Sequence, residues 1–223
     1  MAILLGIDTG GTYTDAALYD DTSGEILAAE KALTTRADLS LGVAAALDSA
    51  LASGTPEINL VSLSTTLATN ALVEGQGAPV GLILIGQGPA ALARAGLGEA
   101  LGGAPSVFLS GGHNAAGEPV APLDLDTLQA SVEGLAARVD GFAVAGEFAT
   151  RNPAHEIAAR DCLRELTGLP VSCSHELSSR LDAPRRALTT LLNARLIPLL
   201  NRLILSVRGL MEARGLTAPL VGV

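Results

Sequence analysis

Tryptophan is absent from this sequence, and aromatic residues make up only 2% of its 223 positions. Hydrophobic residues nevertheless account for 48%, so a sizeable core is available, built mainly from leucine, valine, isoleucine and alanine. A chain of this length is enough for one large domain or two small ones.

Cysteine is also scarce, because the chain has only Cys162 and Cys173. Two cysteines do not make a disulfide framework. A single bridge is the alternative, but reduced thiols in a cytoplasm are the simpler interpretation. The N-terminus has no basic region followed by an apolar core, so we see no signal peptide. We therefore expect a cytoplasmic protein.

Basic residues are outnumbered 14 to 23 by acidic ones, which gives a net charge of −9. This balance argues against a general nucleic-acid surface, although backbone amides can still bind ATP phosphates locally. No uninterrupted apolar run is long enough to span a bilayer. The longest candidate, residues 188–205, is interrupted by Asn193, Arg195, Pro198, Asn201 and Arg202. We expect neither a nucleic acid nor a membrane as a partner.

The most informative stretch is residues 8–15, Asp-Thr-Gly-Gly-Thr-Tyr-Thr-Asp. Apolar runs joined by glycines and hydroxyl residues predict a β-hairpin. The glycines allow positive φ, and the hydroxyls and amides can cradle phosphate oxygens. Asp8 ends the first strand, where a carboxylate suits Mg²⁺ carried by a nucleotide. The alternative is an ordinary tight turn with solvated polar residues. No Gly-Lys-Ser/Thr follows and the turn joins two strands, so neither a Walker loop nor a dinucleotide fingerprint is present.

Seven polar residues outside the hairpin are candidates for a substrate site or cleft: Thr65, Thr66, Thr69, Asn70, Arg151, His175 and Glu176. Thr65 and Thr66 lie between a strand end and the start of a helix that holds Thr69 and Asn70. This is a common ligand position, and helix capping by Ser64 or Thr65 is the alternative. The arginine could hold an anion, or could simply lie at the surface. The histidine and glutamate could face a cleft with residues from other loops, or belong to a structural loop.

The sequence argues against three other sites that its histidines suggest. His155 and Glu156 lack a following histidine and do not form a zinc helix. Ser174 and His175 are not a triad, because side chains of adjacent strand residues point to opposite faces. His113 is a lone loop histidine, which we expect to be solvated.

Four stretches resemble one family. GIDTGGTYTD at residues 6–15 is similar to the first phosphate motif of the actin, sugar kinase and heat-shock ATPase superfamily. It resembles more closely the N-terminal region of the hydantoinase A and 5-oxoprolinase family. The closer resemblance is supported by LSTTLATNALVEGQGAPVGLI at 63–83, RNPAHE at 151–156 and SHELS at 174–178. Tyr13 departs mildly from the family, which often has phenylalanine there.

The resemblance implies an α/β fold. Residues 1–85 would form a ribonuclease-H-like, actin-like phosphate-binding half, and residues 86–178 an additional α/β region. Residues 179–223 would form a long helix and the first strand of a second half. The helix, over residues 183–214, is one helix or two joined at Pro198. The chain would then be a fragment, or a short subunit whose sheet is completed elsewhere. Strand-like runs predict a core that includes Leu4, Ile7, Leu63, Val80, Leu82 and Ile83.

The resemblance also implies ATP- and Mg²⁺-dependent opening of a cyclic amide, such as a hydantoin or 5-oxoproline, through phosphorylation of its carbonyl oxygen. Asp8 is then the catalytic residue and orients Mg²⁺ through water, and Asp15 braces the hairpin. The resemblance assigns phosphate binding to six residues of the hairpin: Thr9, Gly10, Gly11, Thr12, Tyr13 and Thr14. The implied partners are the cyclic amide and a partner subunit or missing C-terminal half, without which we expect no activity.

Related members of this family include subunits of ATP-dependent carboxylases for ketones. Two alternatives of other classes stay open. One is a non-catalytic ATP-sensing or partner-binding module of the actin-like superfamily. The other is a small-molecule kinase that uses the same hairpin.

Overall fold

The computed structural model describes residues 2–35, 38–66 and 77–222. The chain forms two compact units, residues 1–76 together with 200–223, and residues 77–199. The first unit contains a five-stranded sheet and the second a four-stranded sheet. The predicted α/β class is confirmed, with mixed and parallel sheets.

The sheet of the first unit combines an antiparallel meander with two parallel strands. Its strands are β1 (Ile3–Thr9), β2 (Tyr13–Asp20), β3 (Glu25–Leu33), β4 (Ile58–Thr65) and β9 (Leu220–Gly222). β1 and β2 are antiparallel, as are β2 and β3. β4 runs parallel to β1, and β9 runs parallel to β4. The strand order is therefore β3-β2-β1-β4-β9.

The two faces of β1 have different surroundings. Ile3, Leu5 and Ile7 are buried in the core of the first unit. Leu4, expected in that core, is instead half-buried, because successive side chains of a strand point to opposite faces. The same alternation leaves Asp8 exposed and Thr9 buried at the end of the strand.

The sheet is covered by helix α1 (Leu39–Ala50). Asp38 caps it, since its carboxylate accepts a hydrogen bond from the Ser40 amide at 3.0 Å. Gly42 allows the helix to approach the sheet closely, because a Cβ at this position would lie 2.9 Å from the carbonyl oxygen of Leu33.

Strand β9 corrects the expectation that residues 219–223 begin a second half. Val61, Ser62 and Leu63 of β4 pair in parallel with Leu220, Val221 and Gly222. The last described strand is therefore the fifth strand of the first sheet. The local sequence predicts a strand here, but its partner is about 160 residues away in the chain, and a local pattern contains no information on that pairing.

The sheet of the second unit is entirely parallel, in the order β6-β5-β7-β8. Its strands are β5 (Val80–Ile85), β6 (Ser106–Leu109), β7 (Gly141–Gly146) and β8 (Val171–Cys173). Every residue of β5 and of β7 is buried, as is typical of central strands covered on both faces. β5, expected in the phosphate-binding half of residues 1–85, is instead joined by its hydrogen bonds to β6 and β7 in the second unit.

Helices of the second unit connect and cover these strands. They are α2 (Leu97–Leu101), α3 (Leu125–Leu135), α4 (Ala154–Thr167) and the single-turn α5 (Ser174–Leu177). Short 3₁₀ segments span Pro89–Ala93 and Ala136–Arg138. α4 begins three residues after a tight turn that follows β7, and α5 begins directly at the end of β8.

The long helix α6 (Ala183–Ala213) is a single helix with Pro198 in its interior. Residues 183–199 belong to the second unit, where Ala187 and Leu191 lie in its core. Residues 200–213 belong to the first unit, where Leu203 and Val207 lie in its core. Among the described residues, α6 is the one helix long and apolar enough to cross a membrane. A helix that lies in a protein core meets the same two criteria.

Candidate functional site

The turn between β1 and β2 is closed by its own backbone. The Gly10 amide donates a hydrogen bond to the Tyr13 carbonyl oxygen at 2.9 Å. A Cβ at Gly10 would lie 3.1 Å from that same oxygen. Neither of the described glycines Gly10 and Gly11 takes a positive φ, contrary to the role expected for the pair. Glycine at position 10 is therefore needed for the close approach of the backbone and not for a left-handed conformation.

Alternation along β1 places Asp8 and Thr9 on opposite faces of the sheet. The Asp8 carboxylate is exposed at the strand end, directly before the turn. Thr9 is fully buried, and its hydroxyl has no hydrogen-bond partner. The Thr9 carbonyl oxygen accepts hydrogen bonds from the Thr65 hydroxyl at 2.9 Å and the Thr66 amide at 3.3 Å. The end of β4 is thus joined to the hairpin by these two hydrogen bonds.

The remaining residues of the hairpin divide into exposed and buried sets. Thr12 and Tyr13 are exposed at the turn. Thr14 is buried, and its hydroxyl shares a 3.0 Å hydrogen bond with that of Thr34. Thr9 and Thr14, both predicted to bind phosphate, are therefore buried in this structure and not exposed at the turn. Asp15 forms an ion pair with Lys31 of β3 at 3.2 Å, which agrees with a bracing role.

In the second unit, the carboxyl ends of β7 and β8 meet at the buried carboxylate of Glu156. Its Oε1 accepts hydrogen bonds from the Gly146 amide at 2.6 Å and the Ser174 hydroxyl at 2.5 Å. Its Oε2 accepts from the His175 amide at 3.0 Å and from His175 Nδ1 at 2.5 Å. A carboxylate has no proton to donate, so Nδ1 carries the hydrogen. Glu156 thereby sets the tautomer and orientation of the imidazole.

A buried arginine compensates the Glu156 charge. Arg186 of α6 is 1% exposed, and its Nε donates to the Ser174 hydroxyl at 3.2 Å. Its other two nitrogens donate to the carbonyl oxygens of Gly146, at 2.6 Å, and Arg180, at 2.7 Å. Burial lowers the pKa of Arg186, and the charge of Glu156 opposes that change. The network therefore joins the carboxyl ends of β7 and β8 to Glu156 of α4 and Arg186 of α6.

Glu156, Cys173 and His175 offer ligand atoms within 4.8 Å of one another. These atoms do not form a convincing metal site. Burial, followed by the charge of Glu156, raises the pKa of Cys173 to about 12, so its thiol stays protonated at neutral pH. Both carboxylate oxygens of Glu156 already accept hydrogen bonds. The arrangement is better described as a hydrogen-bond network that positions His175.

A cavity of about 560 Å³ opens beside this network. His175 lines it, together with Thr150 and Arg151 from the loop after β7 and with Ser179. Phe148 turns that loop through a left-handed conformation with φ of 48°, which is unusual for a bulky residue and costs on the order of 1–3 kcal/mol. The structure thus brings together two predicted candidates, Arg151 and His175.

Two other histidines pack in the same unit. The rings of His113 and His155 lie 4.3 Å apart, and the Gly112 amide donates to His155 Nδ1 at 3.0 Å. Burial lowers the pKa of both, so both are neutral at pH 7. His113 is 2% exposed, which corrects the expectation of a solvated loop histidine. The chain folds back after β6, and the His113 amide bonds to the Glu147 carbonyl oxygen at 3.1 Å.

The other sequence candidates lie elsewhere. Glu176 forms an ion pair with Arg160 at 3.1 Å and does not line the cavity. Thr69 and Asn70 lie outside the described residues. The residues that sequence reasoning missed are Glu156 and Arg186. The only local sign of Glu156 was its position three residues after Pro153 in a short polar segment, and nothing local indicates that its carboxylate is buried.

Comparisons with known proteins found one matching family and several similar proteins. A family model for the hydantoinase/oxoprolinase N-terminal region matches residues 4–167. The chain is 30% identical to caprolactamase subunit alpha from Pseudomonas jessenii, over 96% of this chain and 34% of that subunit. It is 28% identical to the acetophenone carboxylase gamma subunit from Aromatoleum aromaticum, over 85% of this chain and 30% of that subunit.

Solved structures share the fold. The ATP-dependent caprolactamase from Pseudomonas jessenii superposes with a TM-score of 0.73 at 28% identity, over 98% of this chain and 35% of that chain. The nucleotide-free acetone carboxylase superposes with a TM-score of 0.69 at 23% identity, over 95% and 34% of the respective chains. The chain belongs to the hydantoinase/oxoprolinase N-terminal family, which confirms the resemblance found in its sequence. It spans about a third of the length of these relatives.

Proposed function

We propose that this chain is the nucleotide-binding N-terminal part of an ATP-dependent enzyme that opens a cyclic amide. The observation that carries the proposal is the β1–β2 turn. Asp8 presents an exposed carboxylate at the strand end, directly before a glycine turn closed by the 2.9 Å bond from Gly10 to Tyr13. The similarity to an ATP-dependent caprolactamase supports the choice of ATP and of a lactam-type substrate.

The order of the first sheet supports a ribonuclease-H-like, actin-type fold. An antiparallel β1–β2–β3 meander is followed by two strands parallel to β1, in the order β3-β2-β1-β4-β9. In our proposal the amides of residues 10–13 and the exposed Thr12 hydroxyl contact the phosphates of ATP. Thr9 and Thr14 support the turn from its buried side. Thr65 and Thr66 connect the end of β4 to it.

The exposed Asp8 carboxylate fits a hydrated Mg²⁺, because hard oxygen ligands and retained waters are what this ion prefers. Bound Mg²⁺ would supply positive charge to the phosphoryl oxygens. An amide resists hydrolysis since its carbonyl is resonance-stabilised and its nitrogen is a poor leaving group. Transfer of the γ-phosphoryl group to the carbonyl oxygen removes that resonance, and water can then attack the carbon. The chain's contribution is to hold the nucleotide in line for this transfer.

The chain spans only about a third of its relatives, two of which are named as subunits. We therefore propose that turnover requires polypeptide beyond these 223 residues or a partner subunit, in a cytoplasmic enzyme. The 223 residues alone should bind Mg-ATP weakly and show no lactam-dependent phosphate release. Calorimetry and a phosphate-release assay on this chain test that statement, and steady turnover by the chain alone would contradict it.

The decisive test substitutes Asp8→Asn in the complete enzyme. Loss of one carboxylate charge should weaken Mg-ATP binding or lower turnover about tenfold or more, since charged contacts are worth about 1.5–3 kcal/mol. The matched control is Asp21→Asn, an exposed aspartate in the turn at the other end of β2. Phosphate release is measured with hydantoin, 5-oxoproline and caprolactam in turn.

Each outcome of this test has a defined meaning. Phosphate release that depends on a cyclic amide and falls selectively in Asp8→Asn supports the proposal. ATP binding without any such release, in the complete enzyme, would favour a non-catalytic ATP-sensing module. Transfer of phosphate to a stable product would favour a small-molecule kinase. Equal behaviour of the two variants would remove Asp8 from the site.

A further inference from the structure

We propose that the 560 Å³ cavity of the second unit is a binding site for a small oxyanion, a carboxylate or phosphoryl group held by Arg151 and His175. This inference does not depend on the proposed ATP site, since it rests on residues of the second unit only. The polar residues that line the cavity are two hydroxyl residues, one arginine and one histidine, and Ala149, Pro153 and Leu181 complete its lining. Such groups are hydrogen-bond donors, and an oxyanion is the ligand that accepts from all of them.

The first observation is the charge of the cavity wall. The chain as a whole carries −9, yet none of the described residues that line the cavity is acidic. Arg151 is exposed at the cavity, and its guanidinium has no ion pair or hydrogen bond within the described parts of the chain. The N-terminus of the 14-residue helix α4 also adjoins the cavity through Pro153, and a helix N-terminus favours negative charge.

The second observation is an orphaned polar atom. The Thr150 hydroxyl is buried and has no hydrogen-bond partner, although the residue lines the cavity. Leaving a buried hydroxyl without a partner costs about 1–3 kcal/mol. Because the hydroxyl itself is not accessible, a ligand oxygen in the cavity would accept its proton, and remove that cost, only after a small adjustment of this loop. The neighbouring strained residue Phe148, with φ of 48°, holds this loop in the conformation that presents Thr150 and Arg151.

The third observation is the fixed orientation of His175. Glu156 accepts the Nδ1 hydrogen at 2.5 Å, so Nε2 is the ring atom left for the cavity. Glu156 is itself held by three further donors and by the charge of Arg186. The network therefore makes Glu156 a positioning residue. Arg151 and His175 are the residues that would touch the ligand.

Nuclear magnetic resonance on the folded chain can test the site directly, because the sequence contains only three histidines. Inorganic phosphate and acetate are titrated separately, and the ring resonances of His113, His155 and His175 are followed. The His175→Asn variant assigns its resonance. We expect either anion to shift the His175 resonance saturably and to leave His113 and His155 unchanged. A larger response to phosphate or to acetate distinguishes a phosphoryl from a carboxylate ligand.

Arg151→Gln should weaken this binding about tenfold or more, since it removes a charge-assisted contact. The matched control is Arg138→Gln. Arg138 is also exposed, but it lies before the first residue of β7, whereas Arg151 lies after the last residue of that strand. Arg151 is exposed, so its substitution should leave the thermal melt unchanged. An equal loss in both arginine variants would show only general charge attraction and overturn the proposal.

The positioning role of Glu156 has its own readout. Glu156→Gln keeps the size of the side chain, but its amide no longer offers a charged acceptor to His175 Nδ1. The ¹⁵N shifts of the His175 ring should then lose the signature of a single Nδ1-protonated tautomer, and the anion affinity should fall. An unchanged tautomer signature would overturn the positioning role. Absence of any His175 shift with either anion in the wild-type chain would overturn the site.

Discussion

Glu156→Ala should be among the most destabilising single substitutions in this chain. The carboxylate is fully buried and accepts hydrogen bonds from two amides, one hydroxyl and one imidazole. Alanine would leave these donors without an acceptor. It would also remove the largest of the acidic charges that compensate Arg186, which is 1% exposed, and leave only those of Glu147 and Asp182. Removing one partner of a buried charged pair typically costs about 3–5 kcal/mol.

The free energy of unfolding should therefore fall by about 3–5 kcal/mol, a large part of the 5–15 kcal/mol typical of whole domains. Urea denaturation followed by far-ultraviolet circular dichroism measures it. The control is Glu133→Ala, an exposed glutamate on α3, which should change the stability by no more than about 0.5 kcal/mol. A loss below about 1 kcal/mol for Glu156→Ala would refute the reasoning, since an unsatisfied buried donor alone costs that much.

A double substitution separates the cost of the lost hydrogen-bond acceptor from the cost of the poorly compensated Arg186 charge. Replacing both charges, Glu156→Leu with Arg186→Met, removes the uncompensated charge as well as the acceptor. The double variant should therefore be more stable than Glu156→Leu alone, because buried opposite charges can often be replaced together by apolar residues at little cost. A double variant less stable than the single variant would show that the hydrogen bonds of Arg186 matter more than its unpaired charge.

The remaining predictions concern close packing at a glycine and the burial of a cysteine. Gly42→Ala should destabilise the first unit by about 1–3 kcal/mol, because its Cβ would lie 2.9 Å from the Leu33 carbonyl oxygen. Gly134→Ala, where a Cβ meets nothing within 4 Å, should be neutral or stabilising by up to about 1 kcal/mol in the same thermal melts. Cys173, whose thiol pKa is raised to about 12, should resist a thiol reagent at pH 8 that modifies Cys162. Since this pKa is raised in the folded state, the free energy of unfolding should decrease as the pH rises from about 9 to 12, and Cys173→Ser should lack that part of the decrease.

The sequence by itself determined the elements whose signals are local. The hairpin of β1 and β2 follows from two apolar runs around a glycine turn, and α1 follows from helical spacing and the Asp38 cap. The same local signals indicated Asp8 at a strand end and made Arg151 and His175 candidates for a site. The family match depended on short contiguous motifs and was also available from the sequence.

Predictions from local sequence failed at two positions where the chain changes its conformation. Ser174 and His175 were expected to point apart, as neighbours on a strand do. The chain turns helical at Ser174, however, and both side chains bond to the same carboxylate. His113 was expected in solvent, but the chain folds back after β6 and buries it against His155.

Only the tertiary structure decided which distant segments meet. β9 completes the first sheet and β5 belongs to the second, because strand pairing is made between residues far apart in the chain. The Glu156 network joins residues from β7, α4, α5 and α6, which span 40 positions of sequence between Gly146 and Arg186. A buried charge is tolerated only where several such segments supply its partners, and that condition cannot be evaluated from any one of them alone.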